Sequence, residues 1–205
     1  MSIPKLIDVT PFEPLIIKVH YDGFDWNKLK PICQHLVDST QREVYLVKDG
    51  KSSVFNKRQP HKIAEFKPFY DWLVPLVKQI IVHSHGYAKL YQYGIGNSWV
   101  NVHNENGQTS PHNHPDAMFV AATYLNMPKN AGFFECKDPL EYHRCLSNHE
   151  KPDWMWNEVP SITGDVIVFP AWLQHRTQKN LSGQNRWVLT TNFYGSPALP
   201  DQFFR

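Results

Sequence analysis

The 205-residue chain is poor in cysteine: Cys33, Cys136 and Cys145 are an odd number at irregular spacing. A disulfide framework is therefore excluded, and a reducing, cytoplasmic setting is expected. No Cys-x-x-Cys pair occurs, and Cys136, His143, Cys145 and His149 are spaced by 7, 2 and 4 residues, which does not match a zinc knuckle. Long apolar runs are also missing. The best, residues 73–82, is interrupted by Lys78 and is well short of the ~20 residues that span a bilayer. Met1-Ser2-Ile3-Pro4-Lys5 lacks the apolar segment of a signal peptide, so no membrane association is expected. Neither sign of charge is in excess. Lys and Arg number 21 against 19 Asp and Glu, a net of +2, so no overall field exists to hold a nucleic acid. Lys28, Lys30, Lys57 and Arg58 read as scattered solvated charges. Gly94-Ile95-Gly96 is followed by Trp99 where a dinucleotide loop needs its third glycine, and neither a phosphate loop nor a Gly-x-Ser-x-Gly elbow is present.

What the chain does have is aromatic residues at 14%, 16 prolines and 11 histidines, a composition of strands and turns whose chemistry could involve metal. No repeat or linker divides it, so a single domain over residues 1–205 is expected, with a change of character near residue 87. Residues 1–86 read as helical and strand support. Asp25 is a candidate N-cap, and Trp26, Leu29, Cys33, Leu36 and Val37 recur at helical spacing. Phe69, Trp72, Leu73, Leu76, Val77 and Ile80 do so again. Pro31 and Pro75 should bend these helices or mark boundaries. Strands are expected at 87–93, 98–102, 117–125, 132–136, 165–169 and 186–194, with 137–160 as an inserted loop whose Trp154-Met155-Trp156 could act as a lid. In the last strand Arg186, Val188, Thr190 and Asn192 alternate with Trp187, Leu189, Thr191 and Phe193, so both faces are lined. The fold class is mainly β, a double-sheet jelly roll with two or more supporting helices and a mouth able to hold a small ligand.

Pro111-His112-Asn113-His114-Pro115-Asp116 sets three possible metal ligands at alternate positions. Side chains at i and i+2 of an extended segment share a side, so either His112 with His114, or His114 with Asp116, could clasp one ion. His175 is the candidate third ligand, because Gly164-Asp165-Val166-Ile167-Val168-Phe169-Pro170 reads as a turn, a buried strand and a proline stop just before it. His-x-Asp with one distant His is the facial triad that suits Fe(II) and leaves three positions open for a 2-oxo acid and O₂. The carboxylate reading is preferred because an anionic donor lowers the charge of the site; the alternative is a three-histidine site of His112, His114 and His175. Arg186, after the turn Asn180-Leu181-Ser182-Gly183-Gln184-Asn185, could grip the far carboxylate of the oxo acid. Tyr124 and Asn101 are candidates to hydrogen-bond it. His20, His83, His85 and His103 read as structural.

Trp99-Val100-Asn101, His112-Asn113-His114-Pro115, Tyr124-Leu125, the strand 164–170, His175, Arg186 and Asn192-Phe193 together resemble the small bacterial and phage 2-oxoglutarate and Fe(II)-dependent oxygenases, relatives of prolyl hydroxylases. Pro11-Phe12-Glu13-Pro14-Leu15 is similar to that family's usual first strand. The resemblance implies a double-stranded β-helix with Fe(II) at its mouth, held by His114, Asp116 and His175, with Arg186 anchoring 2-oxoglutarate. It also implies hydroxylation of an unactivated C–H bond in a small molecule or peptide, such as a peptidyl proline or another amino-acid side chain. Two alternatives stay open: a jelly roll that binds without turnover, and a three-histidine dioxygenase that needs no 2-oxoglutarate.

Overall fold

The computed structural model describes residues 16–85, 91–140 and 155–197. In chain order the elements are β1 (Ile17–His20), α1 (Trp26–Asp38), β2 (Val47–Ser52), two single 3₁₀ turns, α2 (Lys67–His85), β3 (Tyr91–Thr109), β4 (Phe119–Asn126), β5 (Phe134–Lys137), β6 (Trp156–Val159), β7 (Asp165–Pro170), β8 (His175–Thr177) and β9 (Arg186–Pro197). Six strands form a major sheet in the order β1-β7-β4-β9-β3-β2, and three form a minor sheet in the order β6-β5-β8. All pairs are antiparallel. This is the expected jelly-roll class, with two helices behind one sheet.

Strand alternation produces two cores. Ala121, Val166, Val168, Val100, Val102, Trp187, Leu189 and Phe193 face the helices and pack on Leu29, Cys33, Leu36, Phe69, Leu73 and Val77. Their neighbours Val120, Ala122, Tyr124, Ile167, Phe169 and Val188 point the other way and meet Phe134 and Cys136 of the minor sheet. β4 and β7 are thus covered on both faces, which is why their sequences read as continuous apolar runs. Fully buried side chains such as Leu36 and Leu73 contribute about 1.5–3 kcal/mol each. The alternation expected of β9 holds, and Thr191, on its helix-facing side, lies 3.1 Å from the Tyr70 hydroxyl of α2.

Asp25 caps α1, its carboxylate accepting from the Lys28 backbone. Neither proline ends its helix: α1 runs through Pro31 and α2 through Pro75. Both prolines, and the residues four before them, Asn27 and Asp71, are exposed. Water can therefore take each carbonyl that loses its intrahelical donor. The strands expected at 98–102 and the end of 87–93 are one strand, β3, carried past Gly96 by an irregularity between Ile95 and Asn97. A Cβ at Gly96 would stand 1.6 Å from the Tyr194 ring, so the glycine lets that ring lie on the strand. The expected first strand around Pro11, the expected lid residue Trp154 and the cluster of His143, Cys145 and His149 lie outside the described residues. No helix among the described residues is long and apolar enough to cross a membrane.

β1, the outer strand, is pinned to β7 by His20, whose Nδ1 is 2.7 Å from Asp165 Oδ1 and whose Nε2 is 2.8 Å from Asp22 Oδ1. The hydrogen bond to Asp165 raises the His20 pKa above its usual value, with the Asp22 charge adding to it. A raised folded pKa favours the native state fully below the unfolded value of about 6.5, and that benefit fades as pH climbs through the folded value. The difference in Tm between the parent and His20→Gln should accordingly be largest in mild acid and shrink toward pH 8. A difference that grows with pH would refute the clasp.

Candidate metal centre

The cavity between the sheets has a volume of about 300 Å³. β3 contributes Asn97, Trp99, Asn101 and His103, and β9 contributes Val188, Thr190, Asn192 and Tyr194, both sets at alternate positions. β4 adds Val120, Ala122 and Tyr124; Val44, Leu46, Val47 and Val54 from around β2 form an apolar wall.

After β3 the chain crosses the cavity mouth, held by backbone hydrogen bonds. His112 N–H donates to His175 O at 3.0 Å and His175 N–H to His112 O at 2.9 Å, joining the crossing segment to β8. His114 N–H donates to Ala171 O at 2.9 Å, in the turn after β7. These bonds bring His112, His114 and His175 together, with one ring nitrogen of each within 4.8 Å of the others. Aromatic neighbours restrict the rings: Trp99 stacks on His114 at 5.7 Å, and Phe134 and Phe169 flank His175 at 5.3 Å and 4.6 Å.

The tautomers follow from the partners. His112 Nδ1 lies 2.9 Å from Ser110 O, His175 Nδ1 lies 2.9 Å from Leu173 O, and His114 Nδ1 lies 2.7 Å from Asn192 Oδ1. Each partner is an acceptor, so each Nδ1 carries the proton and each Nε2 presents a lone pair. His114 Nε2 and His175 Nε2 face each other at 3.3 Å with no proton between them. Two lone pairs at that distance repel unless a cation sits before them. Burial pushes the His114 pKa down to about 4 and the His175 pKa well below the usual value; that of His112 is also lowered by burial. The imidazoles are therefore neutral at pH 7, and a metal need displace no proton. This donor set fits a divalent first-row metal such as Fe(II).

Asp116 is not part of the group. It is exposed and has φ +72°, in the left-handed region. The expectation that it shares a side with His114 assumes extended backbone, and that turn breaks the alternation. Of the two i, i+2 pairs in the sequence, the structure assembles His112 with His114. Asn101 and Tyr124 line the cavity. Arg186, fully buried on β9, stands behind the wall, donating to carbonyls of Ala131, Gly132 (3.0 Å) and Gln178 (3.1 Å) and to Thr177 Oγ1 (2.9 Å). The reading of the sequence missed Asn192, the β9 partner of the His114 ring, and Thr177 and His103 in the wall.

Residues 97–192 match a protein family described as "Putative 2OG-Fe(II) oxygenase". The match covers a little under half of the chain. The matched stretch holds all three histidines, Asn192 and Arg186; the chain is an oxygenase, and the cofactors of the family it matches are Fe(II) and 2-oxoglutarate. Comparison with curated proteins gives no match. Among solved structures the oxygenase is similar to a Pseudomonas putida prolyl-4-hydroxylase, at 13% identity and TM-score 0.58 over 87% of this chain and 91% of that one. It is also similar to the viral collagen prolyl hydroxylase of Paramecium Bursaria Chlorella virus-1 in its 2OG complex, at 11% identity and TM-score 0.56 over 87% and 94%. A third is a Trichoplax adhaerens prolyl hydroxylase in complex with a hypoxia inducible factor peptide fragment, at 13% identity and TM-score 0.57 over 87% and 83%. At these identities the likeness is one of fold.

Asn192 gives the oxygenase a sharp test of the tautomer argument. Asn192→Val removes the acceptor that fixes His114 Nδ1–H and should weaken metal affinity about 10- to 100-fold, measured by competition with a chelator. An unchanged affinity would mean that Asn192 does not orient the ring.

Proposed function

We propose that the oxygenase hydroxylates an unactivated C–H bond of an uncharged group on a small molecule or peptide, with His112, His114 and His175 as its metal ligands. The observation that carries this reading is the grouping of His112, His114 and His175, with one ring nitrogen of each within 4.8 Å of the others, in the lining of the cavity. Fe(II) held by these histidines would supply, with a 2-oxo acid and O₂ as co-substrates, the oxidising power for such a reaction. The chain supplies position and shelter. The three Nδ1–H bonds hold the imidazoles in one orientation, so a metal finds its face already assembled. Val44, Leu46, Val47 and Val54, with Trp99 and Tyr194, line the cavity with apolar surface that keeps water from the reacting centre. Among the described residues no Asp, Glu, Lys or Arg lines the cavity, which favours an uncharged substrate group. A peptidyl proline or another apolar amino-acid side chain satisfies that requirement, and the likeness to prolyl hydroxylases supports it by fold alone.

The test is anaerobic reconstitution with Fe(II) followed by titration of 2-oxoglutarate, then addition of O₂. A weak visible band that saturates with the oxo acid, and succinate formed after O₂ is admitted, are expected. A protein that binds metal and yields neither would overturn the reading. The neutral three-imidazole set favours one second reading, an oxygenase reaction independent of the oxo acid; O₂ uptake in its absence would reveal this.

A further inference from the structure

Asn97 and Asn101 line the cavity from β3, on either side of Trp99. The side-chain oxygen of each is buried and, among the described residues, has no hydrogen-bond partner. A carboxamide oxygen shut away from water without a donor is costly, and a ligand that brings a donor removes that cost. Both are open acceptors.

They lie at different depths. The β3–β9 register sets Asn97 opposite Asn192, Trp99 opposite Thr190, Asn101 opposite Val188 and His103 opposite Arg186. Asn97 is partly exposed, whereas Asn101 and His103 are buried, so this face of β3 runs from the open end of the cavity to its closed end. Asn192 is the residue that fixes the His114 ring, at 2.7 Å, and Trp99 stacks on the same ring. Directly paired residues on one face of an antiparallel ladder have Cβ atoms about 4.5–5.5 Å apart. Asn97 is therefore one side chain away from the metal ligand, on the side from which a substrate enters. Asn101 is roughly 13 Å farther along the strand, at about 3.3 Å per residue.

Resting on the hydroxylation reading above, we propose that Asn97 Oδ1 accepts the N–H of a secondary amide in the substrate and so holds a peptide bond beside the carbon to be oxidised. The donor is uncharged, because among the described residues no carboxylate lines the cavity to pair an ammonium group. An amide suits this acceptor better than a hydroxyl does. The trans amide turns its carbonyl the opposite way, out toward the open end, while a hydroxyl would carry its own lone pairs into the pocket with its proton. A peptidyl proline has no proton on its nitrogen. Of the substrates named above, one whose target residue keeps its backbone N–H is thus preferred, and Asn97 is the residue that sets the preference.

The experiment uses the full chain with Mn(II) in the metal site and two uncharged probes, N-butylacetamide and N-butyl-N-methylacetamide, of which only the first has an N–H. The Kd of each is read from the metal-induced broadening of its acetyl proton signal, against a Zn(II)-loaded control. The parent should bind the N–H probe about 5- to 100-fold more tightly, the span set by one buried acceptor that is either met or stranded. Asn97→Leu, close in volume, should weaken that probe alone, bring the two Kd values together and leave metal content unchanged. A preference that survives in Asn97→Leu is one of shape and overturns the proposal. So does a parent that binds both probes equally or binds neither, and this comparison decides the matter even if the variant does not fold. Failure of the hydroxylation reading is seen separately, as a parent that loads Fe(II) and forms no succinate.

Discussion

His175→Ala should abolish metal binding and turnover, whereas Asp116→Ala should leave metal affinity within about twofold of the parent, as an exposed substitution usually does. The contrast follows from placement. His175 is 5% exposed, its Nε2 lies 3.3 Å from that of His114, and its Nδ1–H is satisfied by Leu173 O, so its remaining lone pair has no other partner in the structure. Loss of an outer partner of a ligand already costs about 10- to 100-fold in affinity, and loss of one of only three ligands exceeds that. The backbone of His175 pairs with Cys136 and bridges to His112 whatever its side chain, so the Ala variant keeps its β8 ladder and its circular dichroism spectrum. Asp116 has the charge an Fe(II) site would favour, but its left-handed φ turns it away from His114 to solvent. Anaerobic Fe(II) titration of the two variants side by side decides the matter. Equal loss in both would return the carboxylate to the metal and displace His112.

Whether His112 or Asp116 completes the set depends on one backbone dihedral that residue spacing does not specify. Both pairs obey the i, i+2 rule, and only the turn at residue 116 separates them. Where a strand's two faces are both buried, alternation was readable: β9 divides into a helix-facing and a cavity-facing series as its residues suggest. β2 was not readable, because Val47–Ser52 has the composition of a turn and is a strand only through its backbone bonds to β3. The short β1, β6 and β8 are likewise made by pairing rather than by apolar pattern. That Pro31 and Pro75 mark no helix boundary has a related reason. A helix tolerates proline when the freed carbonyl faces water, and the facing is a tertiary fact. His103 resembled any structural histidine until its pairing with Arg186 placed a bare Nδ1 in the cavity wall.

Arg186→Met should destabilise the fold by about 3–5 kcal/mol, the range for removing one side of a buried charged network. The side chain volume is nearly conserved, so the cost is polar. Arg186 Nη1 donates to the carbonyls of Ala131, Gly132 and Gln178, and Nη2 to Thr177 Oγ1. The guanidinium thus ties the turn before β5 to the end of β8, and both to β9. Methionine leaves those acceptors without a donor, and each stranded buried group costs about 1–3 kcal/mol. Replacing a complete buried ion pair by apolar residues can be neutral, but here the partners are backbone carbonyls, which no second substitution can remove. Urea unfolding should show a lower midpoint with an unchanged slope. Arg186→Lys should recover little, since one ammonium cannot span three carbonyls and a hydroxyl in two directions. His103→Phe serves as the counterpart, because its unpartnered Nδ1 can be removed without stranding a carbonyl. If Arg186→Met unfolds at the parent's urea midpoint while its 2-oxoglutarate affinity collapses, the arginine is a ligand for the co-substrate rather than the clamp that the carbonyl geometry describes.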